Sequence, residues 1–310
     1  MGSRDRLTWA GIVLSGALAA GCVPALPQPQ DADAVDGLLS KLVLQPYVTC
    51  EQLKSGLGLD FLPDVSDPSG ADLRYEESWI VTPDYELLRT WYLPTRLQRG
   101  TIVLSMGAAG DVACYLFIAK LLAGNGWAVV MYDNRGFGLS TGSPSLSALG
   151  PDLEQVVDWA RARTGREQVT VLGISLGTIP AVSVAARRPD AVNALILDSP
   201  VAMGEEIKRF SGLLAGLTQA MLASINPELL PEERIRDVRA PVLIYLHEDD
   251  IVTPPETIET IFSNATSLKT LIRFPGLPHV ASPYYRTAQY TYYLETFLAP
   301  IWDPAAHPPQ

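Results

Sequence analysis

Histidine and cysteine are scarce in this chain, three of each among 310 residues, and the cysteines are dispersed at positions 22, 50 and 114. Zinc sites need clustered imidazole, thiolate and carboxylate ligands, so there is little here from which to build a metal centre, and no cofactor is expected. Basic residues are also few: 23 Lys and Arg stand against 34 Asp and Glu, for a net charge of -11. That balance argues against nucleic acid and against anionic membrane surfaces as electrostatic partners. Internal repeats are absent. The apolar run from Leu7 to Ala20 falls short of the roughly 20 residues that a membrane-crossing helix needs.

What the chain does have is the composition of a globular enzyme, 47% hydrophobic and 18% charged. Its length suits one α/β domain of about 230 to 260 residues with extensions, or two small domains. Arg4 and Arg6 precede the apolar run, which ends Ala19-Ala20-Gly21-Cys22, so residues 1–21 read as an export signal. Small residues directly before a cysteine resemble a bacterial lipobox. The resemblance implies cleavage before Cys22, lipidation of its thiol, and attachment to a membrane of the cell envelope. Residues 22–37, with three prolines, read as an extended tether. Apolar residues at helical spacing from Val35 to Leu44 then predict a short amphipathic helix that packs on the domain. The domain itself is expected over 38–302, followed by a polar tail, 303–310, that holds His307. Cys50 and Cys114 could pair in an exported protein, but sequence does not show whether their Cα atoms come close enough, so the pairing is open.

The most informative stretch is Val169 to Ala181, VTVLGISLGTIPA. A buried-strand pattern, a Gly-x-Ser-x-Gly turn and a helical pattern to about Arg188 follow one another without a gap. Glycine is needed two positions either side of Ser175, because in so tight a turn a Cβ would meet the neighbouring strand or helix. Ser175 is thereby lifted beside a helix N-terminus, where the amide of Leu176 is free to face a developing oxyanion.

Further strands are predicted at Glu76–Val81, Glu86–Leu93, Thr101–Ser105, Trp127–Tyr132, Ala194–Leu197, Pro241–Leu246 and Leu271–Phe274, with a helix at Leu153–Ala162. Strands alternating with helices mean a mostly parallel sheet covered on both faces, here with an antiparallel N-terminal hairpin. Functional sites in such sheets lie at the carboxyl ends of the strands. Met106-Gly107-Ala108 follows one of these strands as a candidate oxyanion loop, and His247-Glu248-Asp249-Asp250 follows another. His279 follows the last, giving the chain order Ser, Asp, His. Residues 201–237 carry helix-like apolar spacing and are longer than a crossover requires. They could form a small lid whose Phe210, Leu213, Leu214 and Leu217 line an acyl pocket, or a plain crossover helix with a long loop.

With YDNRGFGLSTG at 132–142, GISLGTIP at 173–180, HEDDIVTP at 247–254 and PGLPH at 275–279, the chain resembles serine α/β-hydrolases of the aminopeptidase-like and esterase-like branch. The likeness covers about residues 76–300. It implies an α/β-hydrolase fold with Ser175 as nucleophile, His279 as base and an aspartate as orienter. Asp250 fits the family spacing of four residues before a proline, Pro254, but His247 stands where glycine is usual, so Asp249 remains a competitor and Asp198 a weaker one. The amide of Ala108 would join that of Leu176 as oxyanion donor, although Met106 replaces the family's usual histidine. The expected activity is hydrolysis of an ester or thioester of an acylated small molecule. A serine aminopeptidase, with Glu205 and Glu206 holding a substrate ammonium, is the alternative within enzymes. A non-catalytic binding protein on the same scaffold is the alternative outside them. Oligomeric state is not legible.

Overall fold

The computed structural model describes residues 32–57, 60, 62, 64–97, 99–210, 219 and 222–303. Residues 1–21, expected to be an export signal, lie outside the described residues, as do Cys22, Leu213, Leu214, Leu217, His307 and the side chain of Phe210.

Eight strands form one sheet in the order β1-β2-β4-β3-β5-β6-β7-β8. They are β1 Glu76–Val81, β2 Leu87–Leu93, β3 Thr101–Ser105, β4 Ala128–Tyr132, β5 Val169–Ile174, β6 Val192–Asp198, β7 Val242–His247 and β8 Lys269–Phe274. The hairpin β1–β2 is antiparallel as expected, and β2 also pairs antiparallel with β4, so two of the seven pairings run against the parallel remainder. The α/β-hydrolase architecture expected from the sequence is the one observed.

The helices used below are α1 Ala32–Val43, α2 Cys50–Leu57, α3 Leu116–Gly124, α4 Leu146–Thr164, α5 Thr178–Arg187, α6 Met203–Phe210, α7 Pro255–Asn264 and α8 Thr287–Trp302. Strand residues alternate between two cores. Ile102, Leu104, Leu172, Ile196 and Leu243 join Ile118 of α3 and Leu294 of α8 on one face. Val103, Val171, Leu195 and Ile244 join Val156 of α4, Val182 of α5 and Ile258 of α7 on the other. This double burial explains why the central strands read as continuous apolar runs rather than alternating ones.

Helix α4 begins seven residues before its expected start, because Gly150 and Pro151 interrupt the apolar spacing while side chains supply the cap. Ser145 Oγ accepts the Ala148 N–H, Ser40 Oγ accepts that of Leu146 at 2.9 Å, and Asp36 Oδ1 accepts that of Ser147 at 3.0 Å. Two of these caps come from α1, so that helix docks through hydrogen bonds as well as through the buried Val35 and Leu39. Pro180 is the third residue of α5. Its missing N–H falls in the first turn, where the helix tolerates it.

Candidate active site

The elbow forms as its glycines require. A Cβ on Gly173 would sit 2.7 Å from the Gly177 carbonyl oxygen, and one on Gly177 would collide with the Ser105 and Met106 carbonyl oxygens of the adjoining strand end. Ser175 itself takes a left-handed conformation, φ 51°, which costs a non-glycine residue on the order of 1 kcal/mol or more and persists only because its surroundings fix it. Leu176 follows in the first helical turn, Ser175–Gly177. A turn with nothing helical before it leaves its leading amides without a partner in the helix.

His279 reaches Ser175 from the loop after β8: Nε2 lies 2.9 Å from Ser175 Oγ, and Nδ1 lies 2.7 Å from Asp250 Oδ2. Of the competing acids, Asp249 is exposed one residue away, and Asp198 is buried but faces a different histidine. Asp250 Oδ1 accepts the amides of Val252 (2.8 Å) and Thr253 (2.9 Å), and the Thr253 hydroxyl donates to Oδ2 at 2.8 Å. Burial alone would raise this carboxyl, but the nearby His279 charge and the hydrogen bonds from His279 and Thr253 outweigh it and hold the group below the usual aspartate range. Thr253 was not singled out in the sequence, although Asp-x-x-Thr is a recognisable local turn signal. A hydroxyl, an imidazole and an ionised carboxylate joined in this order can move a proton from oxygen to nitrogen while the ring's orientation stays fixed.

Opposite Ser175 runs the loop after β3. A Cβ on Gly107 would meet the Tyr115 hydroxyl at 2.7 Å and Ser175 Cβ at 3.4 Å, so this glycine admits the loop to the nucleophile. Ala108 is held from outside: its carbonyl accepts the Gln45 N–H at 2.8 Å, and Gln45 bridges to Ala109. Tyr115 donates to the Ala109 carbonyl at 3.2 Å, and burial pushes its own ionisation up. Cys50 of α2 is bonded to Cys114, with Cα atoms 5.4 Å apart, which settles the pairing that the sequence left open. The YDNRGFGLSTG segment supports the same loop. Asp133 Oδ1 accepts the Val112 amide at 2.7 Å and Oδ2 accepts that of Leu139 at 3.1 Å. Neither Gln45 nor Tyr115 carries a motif that would have marked it in advance.

Helix α6 opens the segment expected to form a lid. Glu205 pairs with Lys208 at 2.7 Å, while the more buried Glu206 pairs with Arg209 at 3.3 Å. Burial raises Glu206 to about 7 against the attraction of Arg209. Short helical turns, Pro227–Leu229 and Pro231–Arg234, carry the chain back toward β7.

Known proteins resemble this chain in sequence and in fold. A family model described as serine aminopeptidase, S33, matches residues 97–237, which include Ser175 and end before Asp250 and His279. The uncharacterized protein Rv2307c of Mycobacterium tuberculosis is 32% identical over 216 residues, 68% of this chain and 73% of that protein. Lysophosphatidylserine lipase ABHD12 of Macaca fascicularis is 33% identical over 201 residues, 59% of this chain and 50% of that protein. Among solved structures, the esterase Pf2001 of Pyrococcus furiosus superposes with a TM-score of 0.64 at 16% identity, covering 78% of this chain and 96% of that one. The chain belongs to the α/β-hydrolase superfamily.

Proposed function

We propose that this protein is a serine hydrolase that cleaves carboxylic esters or thioesters of acylated small molecules through an acyl-enzyme. The observation that carries the reading is the unbroken contact from Asp250 through His279 to Ser175, at 2.7 and 2.9 Å. In the first step Ser175 Oγ adds to the substrate carbonyl carbon while His279 Nε2 takes the hydroxyl proton. The carbonyl oxygen becomes an oxyanion, stabilised by the amides of Leu176 and Ala108. Collapse expels the alcohol or thiol, which receives the proton from Nε2, and leaves Ser175 acylated. Water then repeats the sequence: Nε2 takes its proton, the acyl group leaves as a carboxylic acid, and Ser175 regains its hydrogen. Throughout, Asp250 accepts the Nδ1–H and stabilises the imidazolium without taking its proton.

An acylated lipid-like substrate is favoured over an aminoacyl one. Relatives named as lysophosphatidylserine lipases support the first, and the match to a serine aminopeptidase model supports the second. A substrate ammonium would need a carboxylate beside the site, and Glu206, the more buried of the two, is already paired with Arg209. A panel of p-nitrophenyl esters of increasing acyl length, with aminoacyl p-nitroanilides beside them, tests the reading. Turnover of the esters with little or none of the anilides is expected, and the opposite ranking would establish the aminopeptidase. The lid with Leu213, Leu214 and Leu217, and anchorage to an envelope membrane through a lipidated Cys22, belong to the same proposal. Membrane fractionation of the full chain against Cys22→Ser tests the anchor, with loss of membrane association expected for the variant.

A further inference from the structure

Behind the candidate triad stands a second set of the same residue types. Asp198 ends β6, His247 ends β7, and Ser199 between them is left-handed at φ 49°. All three are buried with no exposed surface. The Ser282 amide donates to His247 Nε2 at 3.1 Å, so that nitrogen carries a lone pair and the neutral ring keeps its proton on Nδ1. Nδ1 lies 2.9 Å from Ser199 Oγ, and Asp198 Oδ1 is farther off at 3.8 Å. Burial lowers the His247 ring to about 3, consistent with a neutral imidazole at every ordinary pH.

Ser199 Oγ also accepts the amide of Val280, at 3.2 Å, and Val280 is the residue after His279. The two amides that follow His279 at positions 280 and 282 are therefore both held from below, one by Ser199 and one by His247. The other end of the arrangement is tied through the backbone, because the His247 carbonyl accepts the Asp250 N–H at 3.3 Å. Val280, like Ser199 and Ser175, has positive φ (56°), so three of the five left-handed non-glycine residues among the described residues meet here. Such strain needs contacts that hold it.

We propose that His247 and Ser199 are positioning residues: a buried clasp that grips the loop after His279 by two of its amides and sets the imidazole against Ser175 independently of the Asp250 contact. The inference rests on the triad reading above. A glycine at position 247 would have no side chain with which to hold that loop.

The test compares wild type with Ser199→Ala, Ser199→Gly and His247→Phe. Glycine relieves the left-handed strain while removing the hydroxyl, so it stays folded if any Ser199 variant does, and phenylalanine preserves the ring stacked on Phe274. Each variant should lower kcat for a short p-nitrophenyl ester by about 10- to 100-fold with KM within about twofold, the size of effect that a small misplacement of a reacting group produces. In proton NMR, the downfield signal of the His279 Nδ1–H bonded to Asp250 should broaden or vanish. A Ser199→Gly protein with wild-type kcat and an unchanged downfield signal would overturn the clasp. If the wild type hydrolyses no ester, the functional reading fails by itself, and the NMR comparison still decides whether the clasp holds His279.

Discussion

Two aspartate-histidine-serine sets lie side by side in this molecule, and only one joins its acid, ring and hydroxyl in an unbroken hydrogen-bonded chain. In the set of Asp250, His279 and Ser175, the carboxylate accepts four donors: two backbone amides, the Thr253 hydroxyl and the imidazole. In the set of Asp198, His247 and Ser199, neither carboxylate oxygen makes a well-formed hydrogen bond, although the Tyr290 hydroxyl faces them. The first carboxyl is held low, whereas burial pushes the second up to about 7. His279 turns Nε2 toward a partly exposed serine; His247 has the same nitrogen closed by an amide. Residue type alone therefore does not assign a catalytic role. The donors around the acid and the group facing Nε2 are what distinguish the two sets.

Substitution in the two sets should give responses of different size. Ser175→Ala or His279→Ala should reduce ester kcat by about 10⁴- to 10⁶-fold with the fold intact, because members of such a unit fail together. A comparable loss from His247→Phe would erase the distinction between the two histidines. Asp250→Asn should cost about 10³- to 10⁴-fold, since the amide no longer fixes the imidazole tautomer. Asp249→Asn, exposed and outside the hydrogen-bond chain, should change kcat little. The reverse order of these two in steady-state kinetics would move the orienting role to Asp249.

Stability offers smaller effects. The disulfide joins residues 64 apart in sequence, and replacing both cysteines by serine should lower unfolding free energy by about 2–4 kcal/mol in urea titrations. Because Cys114 follows the loop that carries Ala108, kcat should fall with it more than KM rises. The smallest effect concerns Asp198. Its folded value of about 7 lies above the ordinary 3.8. Between those values the folded chain holds a proton that the unfolded chain has released, so wild type loses stability as pH rises through that window and regains none above it. Asp198→Asn cannot ionise, so its stability relative to wild type should improve by about 1–3 kcal/mol between pH 5 and pH 8. A pH-independent difference would mean that Asp198 stays in one protonation state.

Much of the scaffold was legible because its signals are local. The turn at Pro83 and Asp84 and the apolar run of β3 gave β1 and β3 to the residue, and the glycines around Ser175 announced the elbow through a steric need that the Cβ contacts of Gly173 and Gly177 bear out. The family spacing before Pro254 favoured Asp250 but left Asp249 open, and in the fold it is Asp250 that lies within hydrogen-bond distance of His279. What escaped was long-range. Gln45 holding Ala108, Tyr115 under Gly107, Asp133 receiving Val112 and Ser199 receiving Val280 join residues whose proximity only the folded sheet creates. The start of α4 escaped for a related reason: two of its caps, Asp36 and Ser40, are more than a hundred residues earlier.

The most direct measurement is the site and rate of covalent labelling by a fluorophosphonate probe, mapped by peptide mass spectrometry. The reading above requires a single adduct on Ser175 in wild type, no adduct in Ser175→Ala, and labelling slowed by orders of magnitude in His279→Ala but only modestly in Ser199→Gly. An adduct that persists in Ser175→Ala, or a Ser175 that reacts equally fast without His279, would contradict it.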